Sequence, residues 1–186
     1  KTSKFTVDGD TKIGMRRSNI MNPELSTFIN GIRETSKAAQ SEAKARLDRL
    51  VKPPGSLGKL EDIAVKLSGI TGMVRNTFGK KCVIIMCSDN GVVEEGVSSA
   101  PQEITFSMAA NFVRGVTGTA ALARCCGSDL KVYDVGMNSN LKIGGVADRE
   151  VRRSTNNIRL GAAMSHTEAE QAFLVGVHAV RDARQE

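Results

Sequence analysis

From Asn22 the apolar side chains recur at helical spacing, first as Leu25, Phe28, Ile29 and Ile32, then as Ala39, Ala43, Leu47 and Leu50. Two packing helices are expected there. The run Lys52-Pro53-Pro54-Gly55-Ser56-Leu57-Gly58 must break the second one. Each proline lacks a backbone N–H and holds φ near about −65°, and Gly55 admits conformations closed to other residues. Beyond the turn, Leu57, Leu60, Ile63, Ala64, Leu67 and Ile70 keep one stripe apolar, while Glu61 and Asp62 place negative charge where a helix dipole favours it. A third helix follows from that pattern.

The period changes at Cys82. Cys82-Val83-Ile84-Ile85-Met86-Cys87 is a short, continuous apolar run with a β-branched middle, followed by Asp89-Asn90-Gly91. It reads as a strand buried on both faces of a parallel sheet. Ser99 with Gln102 three residues on, and Pro101 between them, marks a helix start that runs through Met108 to about Val113. Another helix is expected over Thr119 to Cys126, and a second strand over Val132-Tyr133-Asp134-Val135, ending at Gly136. From Met137 to Leu160 the Gly, Asn and Arg content rises, and the one candidate strand is Glu150 to Arg152. Ser165 and Glu168 form a capping-box pattern before an amphipathic helix carrying Ala169, Ala172, Phe173, Val177 and Val180.

This alternation argues the α/β class: a parallel, doubly wound, Rossmann-like sheet, with residues 82–136 as a strand, helical crossover and strand of right-handed sense. Residues 21–75 form a helical amino-terminal segment, and residues 76–186 the first part of the α/β domain. Residues 1–20 show neither period and are set apart as a disordered leader or upstream extension. A helix in the last position ought to feed another strand, so the sheet is expected to be incomplete in this chain.

Composition narrows the function. Aromatic residues make up 4% with no Trp, so stacking platforms for nucleic acid are poorly supplied and no nucleic-acid partner is expected. The net charge is +6, but half of that excess sits in residues 1–20, where Lys1, Lys4, Lys12, Arg16 and Arg17 face only Asp8 and Asp10. The remainder is mildly basic, which suits anionic small molecules and equally an ordinary soluble surface. Cys82, Cys87, Cys125 and Cys126 lack ligand spacing, so no structural zinc is expected. Without a signal-peptide pattern or an apolar run near roughly 18 residues, the expectation is a cytoplasmic protein with free thiols and no membrane association.

Ser88-Asp89-Asn90-Gly91 stands at the carboxyl end of the first strand, where doubly wound sheets bind ligands in a crevice. The same residues also suit a plain Asx turn. Glu94 and Glu95 read as solvated loop charge, since adjacent side chains on an extended loop point apart. His166 and His178 are too far apart to share a helix face and read as ordinary surface residues. Gly115, Gly118, the Gly144-Gly145 pair and Gly55-Ser56-Leu57-Gly58-Lys59 match no nucleotide-binding loop. Arg114, beside Gly115 and Thr117, could offer a guanidinium to an anion or simply end a helix.

Three ordered motifs, Lys52-Pro53-Pro54-Gly55-Ser56-Leu57-Gly58, Met86-Cys87-Ser88-Asp89-Asn90-Gly91-Val92 and Arg114-Gly115-Val116-Thr117-Gly118, resemble nicotinate-nucleotide:dimethylbenzimidazole phosphoribosyltransferases. The likeness runs from about Met21 to the end and covers roughly the first half of the family. It implies a homodimeric, cytoplasmic transferase of cobalamin lower-ligand synthesis, with residues 21–75 in a small domain and no metal or cofactor. A ring nitrogen of dimethylbenzimidazole attacks ribose C1′ of nicotinate mononucleotide, nicotinate leaves, and an α-ribotide 5′-phosphate forms. The family's proton-accepting glutamate lies close to its carboxyl terminus, so no catalytic residue is expected in this chain, which would be inactive alone. The resemblance places the base against Ser98, Ser99, Ala100 and Met108. Family members that handle dimethylbenzimidazole carry serine and glutamine at positions 100 and 108, so another benzimidazole, a purine or a phenolic acceptor stays open. The alternative is a non-catalytic base-binding or assembly module that needs a partner subunit.

Overall fold

A computed structural model describes residues 21–185; the expected leader, residues 1–20, lies outside the described residues. The first helix, α1 (Pro23–Asn30), starts where Asn22 accepts hydrogen bonds from the N–H groups of Glu24 and Leu25 at 2.9 and 3.4 Å and Pro23 presets the first turn. It docks on the last helix, α6 (His166–Gln185). Glu24 meets the His178 ring and the Arg181 guanidinium, each at 2.9 Å, and Arg181 lies 5.0 Å above the Phe28 ring. His178, expected to be ordinary, is thus part of the joint between α1 and α6.

The second and third helices, α2 (Lys37–Asp48) and α3 (Lys59–Thr71), pack as a hairpin. Ser36 caps α2 through the Ala39 N–H at 3.2 Å, and its own N–H donates to the Gly69 carbonyl at 2.8 Å. Buried Ala39 and Ala43 leave room for close helix approach against Ser68 and Gly69, so this contact rests on small residues. The proline turn forms as expected, with Gly58 at φ 53 before α3. Glu61 stabilises it, accepting from the Leu57 N–H at 3.1 Å and pairing with Lys52 at 2.8 Å. The Lys52 ammonium, then the Leu57 N–H, hold its carboxyl below the ordinary range.

Three strands make one parallel sheet in the order β1 (Cys82–Ser88), β2 (Asp129–Gly136), β3 (Val146–Asp148). Helices α4 (Glu103–Arg114) and α5 (Gly118–Cys125) cross between β1 and β2. Their side of the sheet holds the main apolar cluster: Cys87, Ala109, Val132 and Met137, with Ile85, Phe106, Phe112, Leu130 and Val146 packed around them. Side chains alternate along a strand, so Tyr133 faces the other way, where it shares a hollow with Asp182 of α6. Helices therefore flank both faces, as the α/β reading requires.

Three expectations need correction. β1 is an edge strand and is not buried on both faces: of its residues only Cys87 is buried, while Met86 is 40% exposed, because an edge strand has a neighbour on one side only. The third strand lies at Val146–Asp148, not at Glu150–Arg152. It is three residues long, too short to show a period, although Val151 still donates to the Val135 carbonyl of β2 at 3.3 Å. Finally, Ser99 does not cap α4, which begins at Glu103, because the Gln102 side chain reaches across to other loops. The capping box before α6 does form: Glu168 accepts from the Ser165 N–H at 2.7 Å and Ser165 accepts from the Glu168 N–H at 3.2 Å.

Candidate functional site

At the carboxyl end of β1 the register slips, since Cys87 pairs with Asp134 but Ser88 with Gly136. Such a bulge bends a strand end and re-aims the residues that follow. The extra residue is Val135 of β2, and beside it Asp89, just past the end of β1, lies in the interior, 6% exposed. There Oδ1 accepts from the Thr105 hydroxyl at 2.6 Å and Oδ2 from the Asn138 backbone N–H at 2.7 Å. The Asp89 N–H donates to Gly136 at 3.1 Å, and its carbonyl accepts from Thr155 at 3.2 Å. One residue thereby joins β1, the first turn of α4, the exit of β2 and the loop after β3.

Gln102 makes a second joint. Its Nε2 donates to the Asn90 carbonyl at 3.2 Å and the Ser154 hydroxyl at 3.4 Å, and its Oε1 accepts from the Asn138 side-chain amide at 2.9 Å. The turn between β1 and α4 is a short 3-10 helix, Gly91–Glu95, strapped down by the loop around Thr155. Gly91 donates to the Thr155 hydroxyl at 3.2 Å, and a Cβ there would stand 2.5 Å from the Thr155 carbonyl oxygen, so only glycine fits. Glu95 is half-buried rather than solvated, accepting from the Asn157 amide at 2.7 Å and from the Arg159 guanidinium. The 3-10 turn folds it back onto that loop. Glu94 stays exposed, as expected.

Between these elements opens a hollow of about 320 Å³. Val92, Val93, Val97, Ala100, Pro101 and Ile104 give it an apolar side, and Ser88, Asp89, Asn90, Ser98, Gln102 and Thr105 a polar one. Most of those polar groups serve the protein itself. Besides Asp89, Thr105 and Gln102, the Ser98 hydroxyl turns back on Ala100, donating to its carbonyl at 2.8 Å and accepting from its N–H at 3.2 Å. The exposed side chains of Ser88 and Asn90 make no hydrogen bond among the described residues, so they are open to polar contacts with a ligand. A smaller hollow of about 110 Å³ shares Ser88, Asp89 and Asn90 and is closed by Val135, Val151, Met164 and Ala172, with Arg152 paired to Glu168 at 3.4 Å.

The predicted crevice residues Ser88, Asp89 and Asn90 meet Ser98 and Ala100 around the larger hollow, with Gly91 packed behind. Ser99 and Met108 are not in its wall; Met108 is one helical turn past Ile104 and 39% exposed. Arg114 stands at the far end of α4, about 14 Å along the helix axis from Thr105 in the wall of the hollow. Its neighbours end and start helices: Arg124 donates to the Gly115 carbonyl at 3.1 Å and Thr117 caps α5. Gln102, Thr105, Asn138 and Thr155 hold the site together, and sequence reasoning did not single them out for that. Asn138 carried a usable signal, because it lies just past the carboxyl end of a strand, as Asp89 does.

Two other groups could suggest chemistry. Burial, then the Asp134 and Asp89 charges, push the Cys87 thiol up, which keeps it protonated and a poor nucleophile. Asp134, Asp148 and Glu150 bring carboxylate oxygens within 4.8 Å of one another, as a cation site would. Lys142 stands among them, 3.0 Å from Asp148, 3.1 Å from Glu150 and 3.8 Å from Asp134, so an ammonium supplies that charge.

A family model described as phosphoribosyltransferase matches residues 32–186. Nicotinate-nucleotide–dimethylbenzimidazole phosphoribosyltransferase of Clostridium perfringens strain 13 is 49% identical over 161 residues, 87% of this chain and 45% of that protein. Its namesake in Acetivibrio thermocellus is 46% identical over 154 residues, 83% of this chain and 44% of that protein. A crystal structure of the enzyme of this name from Thermus thermophilus superposes with a TM-score of 0.72 at 37% identity, covering 89% of this chain and 46% of that one. The chain thus spans a little under half the length of the relatives it matches. Its fold, its ordered motifs and a family match that takes in everything from residue 32 place it in one group: the chain belongs to the nicotinate-nucleotide–dimethylbenzimidazole phosphoribosyltransferase family.

Proposed function

We propose that this chain is the base-recognising part of an enzyme that moves the ribose phosphate of nicotinate mononucleotide onto a benzimidazole-type base, giving an α-ribotide for the lower ligand of cobalamin. The observation that carries this reading is the hollow at the strand ends, with an apolar side of Val92, Val93, Val97, Ala100, Pro101 and Ile104 facing Ser88 and Asn90. A flat heterocycle has apolar faces and a polar nitrogen edge, and a site of that two-sided character suits it. Family membership and the names of the relatives support the same reaction.

The displacement needs aligned attacker and leaving group, a held phosphate and a proton acceptor for the incoming nitrogen. Asp89 is the carboxylate in the wall of the hollow, and both its oxygens already accept hydrogen bonds, so it is a poor proton acceptor. On this reading proton removal falls to a group outside residues 21–185, and the chain alone does not turn over. Ser98 and Ala100 contact the base, Met108 reaches a bulkier one, and the Arg114 guanidinium, at the far end of α4, is left for an anion. The acting form is a cytoplasmic homodimer; exposed Leu60, Ile63 and Ile70 along α3, with Leu57 in the turn before it, give a face for association. Among the described residues no helix is long and apolar enough to cross a membrane.

The test is to titrate the chain with 5,6-dimethylbenzimidazole and to incubate it with nicotinate mononucleotide and a panel of bases. A version extended to the length of the relatives is treated alike. Base binding by both and nicotinate release by the extended version alone are expected. Absence of base binding by either sinks the reading; binding with no release by either would instead favour a non-catalytic module that needs a partner.

A further inference from the structure

The hollow is not framed by its lining alone. Its lining comes from the β1 exit at 88–90 and from the turn and α4 start that follow at 92–105, and the β2 exit at 136–138, far away in sequence, is bonded to both from behind. Asp89 and Gln102 hold these together, and both do so through Asn138. The Asp89 carboxylate takes the Asn138 N–H and the Thr105 hydroxyl; Gln102 takes the Asn138 side-chain amide and gives its own N–H to Asn90. The Thr105 N–H, donating to the Gln102 carbonyl at 2.9 Å, closes a ring from Asp89 through Thr105 and Gln102 to Asn138 and back. A buried carboxylate with two short donors is a stiff joint, because losing either donor leaves an acceptor without water.

We propose that Asp89, acting with Thr105, Gln102 and Asn138, is a positioning residue that fixes the first turn of α4 against the two strand ends and so sets the width of the hollow. Asp89 does not need to touch the ligand for this role, and both its oxygens face protein donors. The effect on the ligand rests on the base-binding reading given above, whereas the rigid ring that orders the α4 start stands or falls on the chain without ligand.

The experiment compares Thr105→Val, which keeps the shape and removes the hydroxyl, with Thr105→Ser, which keeps the hydroxyl, and adds Asp89→Asn. In Asp89→Asn the amide oxygen can still accept from Asn138 while its nitrogen donates to a reversed Thr105 hydroxyl, so the ring survives. Amide hydrogen exchange is followed in the free 186-residue chain, and 5,6-dimethylbenzimidazole affinity beside it. Thr105→Val should speed exchange at Asn138 and at residues 102–105 by about tenfold or more, leaving β1 and β2 amides unchanged. It should also weaken the base by a similar factor, while Thr105→Ser stays near the parent chain and Asp89→Asn, which replaces charge-assisted bonds by neutral ones, loosens the same residues less than Thr105→Val does. Unchanged exchange in Thr105→Val, or equal loosening in Thr105→Ser, overturns the proposal. A parent chain that binds no base, yet shows the exchange pattern, removes the functional reading and leaves the positioning role intact.

Discussion

Gly91→Ala is a substitution on which the structure sets a large penalty. The added Cβ would lie 2.5 Å from the Thr155 carbonyl oxygen, 2.7 Å from the Asn156 carbonyl carbon and 2.8 Å from the Asn157 nitrogen. All three are backbone atoms, so no side chain can swing away. The loop must move by several tenths of an ångström, an overpacking cost of about 1–3 kcal/mol. Moving it stretches the Gly91 to Thr155 hydroxyl bond at 3.2 Å and the Thr155 to Asp89 carbonyl bond at 3.2 Å, each contributing about 0.5–1.5 kcal/mol. The two bonds are stretched rather than broken and together lose about 1 kcal/mol, so a total loss of about 2–4 kcal/mol follows, which should lower the melting temperature by about 5–15 °C for a chain of this size. Urea titration monitored by circular dichroism measures it directly. Gly118→Ala is the control, because nothing lies within 4 Å of a Cβ there and it begins α5; it should be neutral or slightly stabilising. A Gly91→Ala chain within about 0.5 kcal/mol of the parent would refute the claim that the strap is rigid.

Three further outcomes are expected. Ser165→Ala removes one half of the α6 capping box and should destabilise the chain by about 1 kcal/mol, read as a lower urea midpoint with unchanged slope. Glu61 should titrate below its ordinary value of 4.5, because the Lys52 ammonium and then the Leu57 N–H favour the carboxylate. A lowered folded value means that its contribution is present above the unfolded value and is lost as the pH falls through the folded one. A carbon-detected NMR midpoint at or above 4.5 would contradict that. Lys142→Met leaves Asp134, Asp148 and Glu150 facing one another, so stability at neutral pH should drop and recover in part with millimolar calcium; a drop that calcium leaves untouched argues against carboxylate repulsion as its cause.

Elements with a long apolar period are legible from sequence, and those held by single side chains are not. The stripe from Leu57 to Ile70 points to α3 by its period, and the run Cys82 to Cys87 points to β1 by its length and β-branched middle. Val146–Asp148 is too short for that, and its position depends on Asp134, whose carbonyl accepts from Arg149 just beyond it. Gln102 misleads because the same glutamine suits a local capping box and a long-range bridge, and only the folded loops decide between them. The crevice at Asp89 is visible from its place after a strand; its partners at Thr105 and Asn138 are hidden by sequence separation.

The use of polar groups in the hollow also bears on selectivity. A site that hydrogen-bonds its ligand rejects an analogue lacking the group strongly, because buried donors are left unpaired, whereas an apolar wall separates ligands by about 1–3 kcal/mol per methylene. Here the hydroxyls of Ser98 and Thr105, the carboxylate of Asp89 and the amide of Gln102 are held by the protein. Under the base-binding proposal, Ser88 and Asn90 are left for the base's polar edge, and Ala100, Val97 and Ile104 for its apolar faces. On the proposed reading, bases that differ by a ring methyl should therefore differ in affinity by about 10- to 200-fold at most. Substituting Asn90, whose side chain is free, should change the ranking of bases more than substituting Ser98, whose hydroxyl closes its own turn.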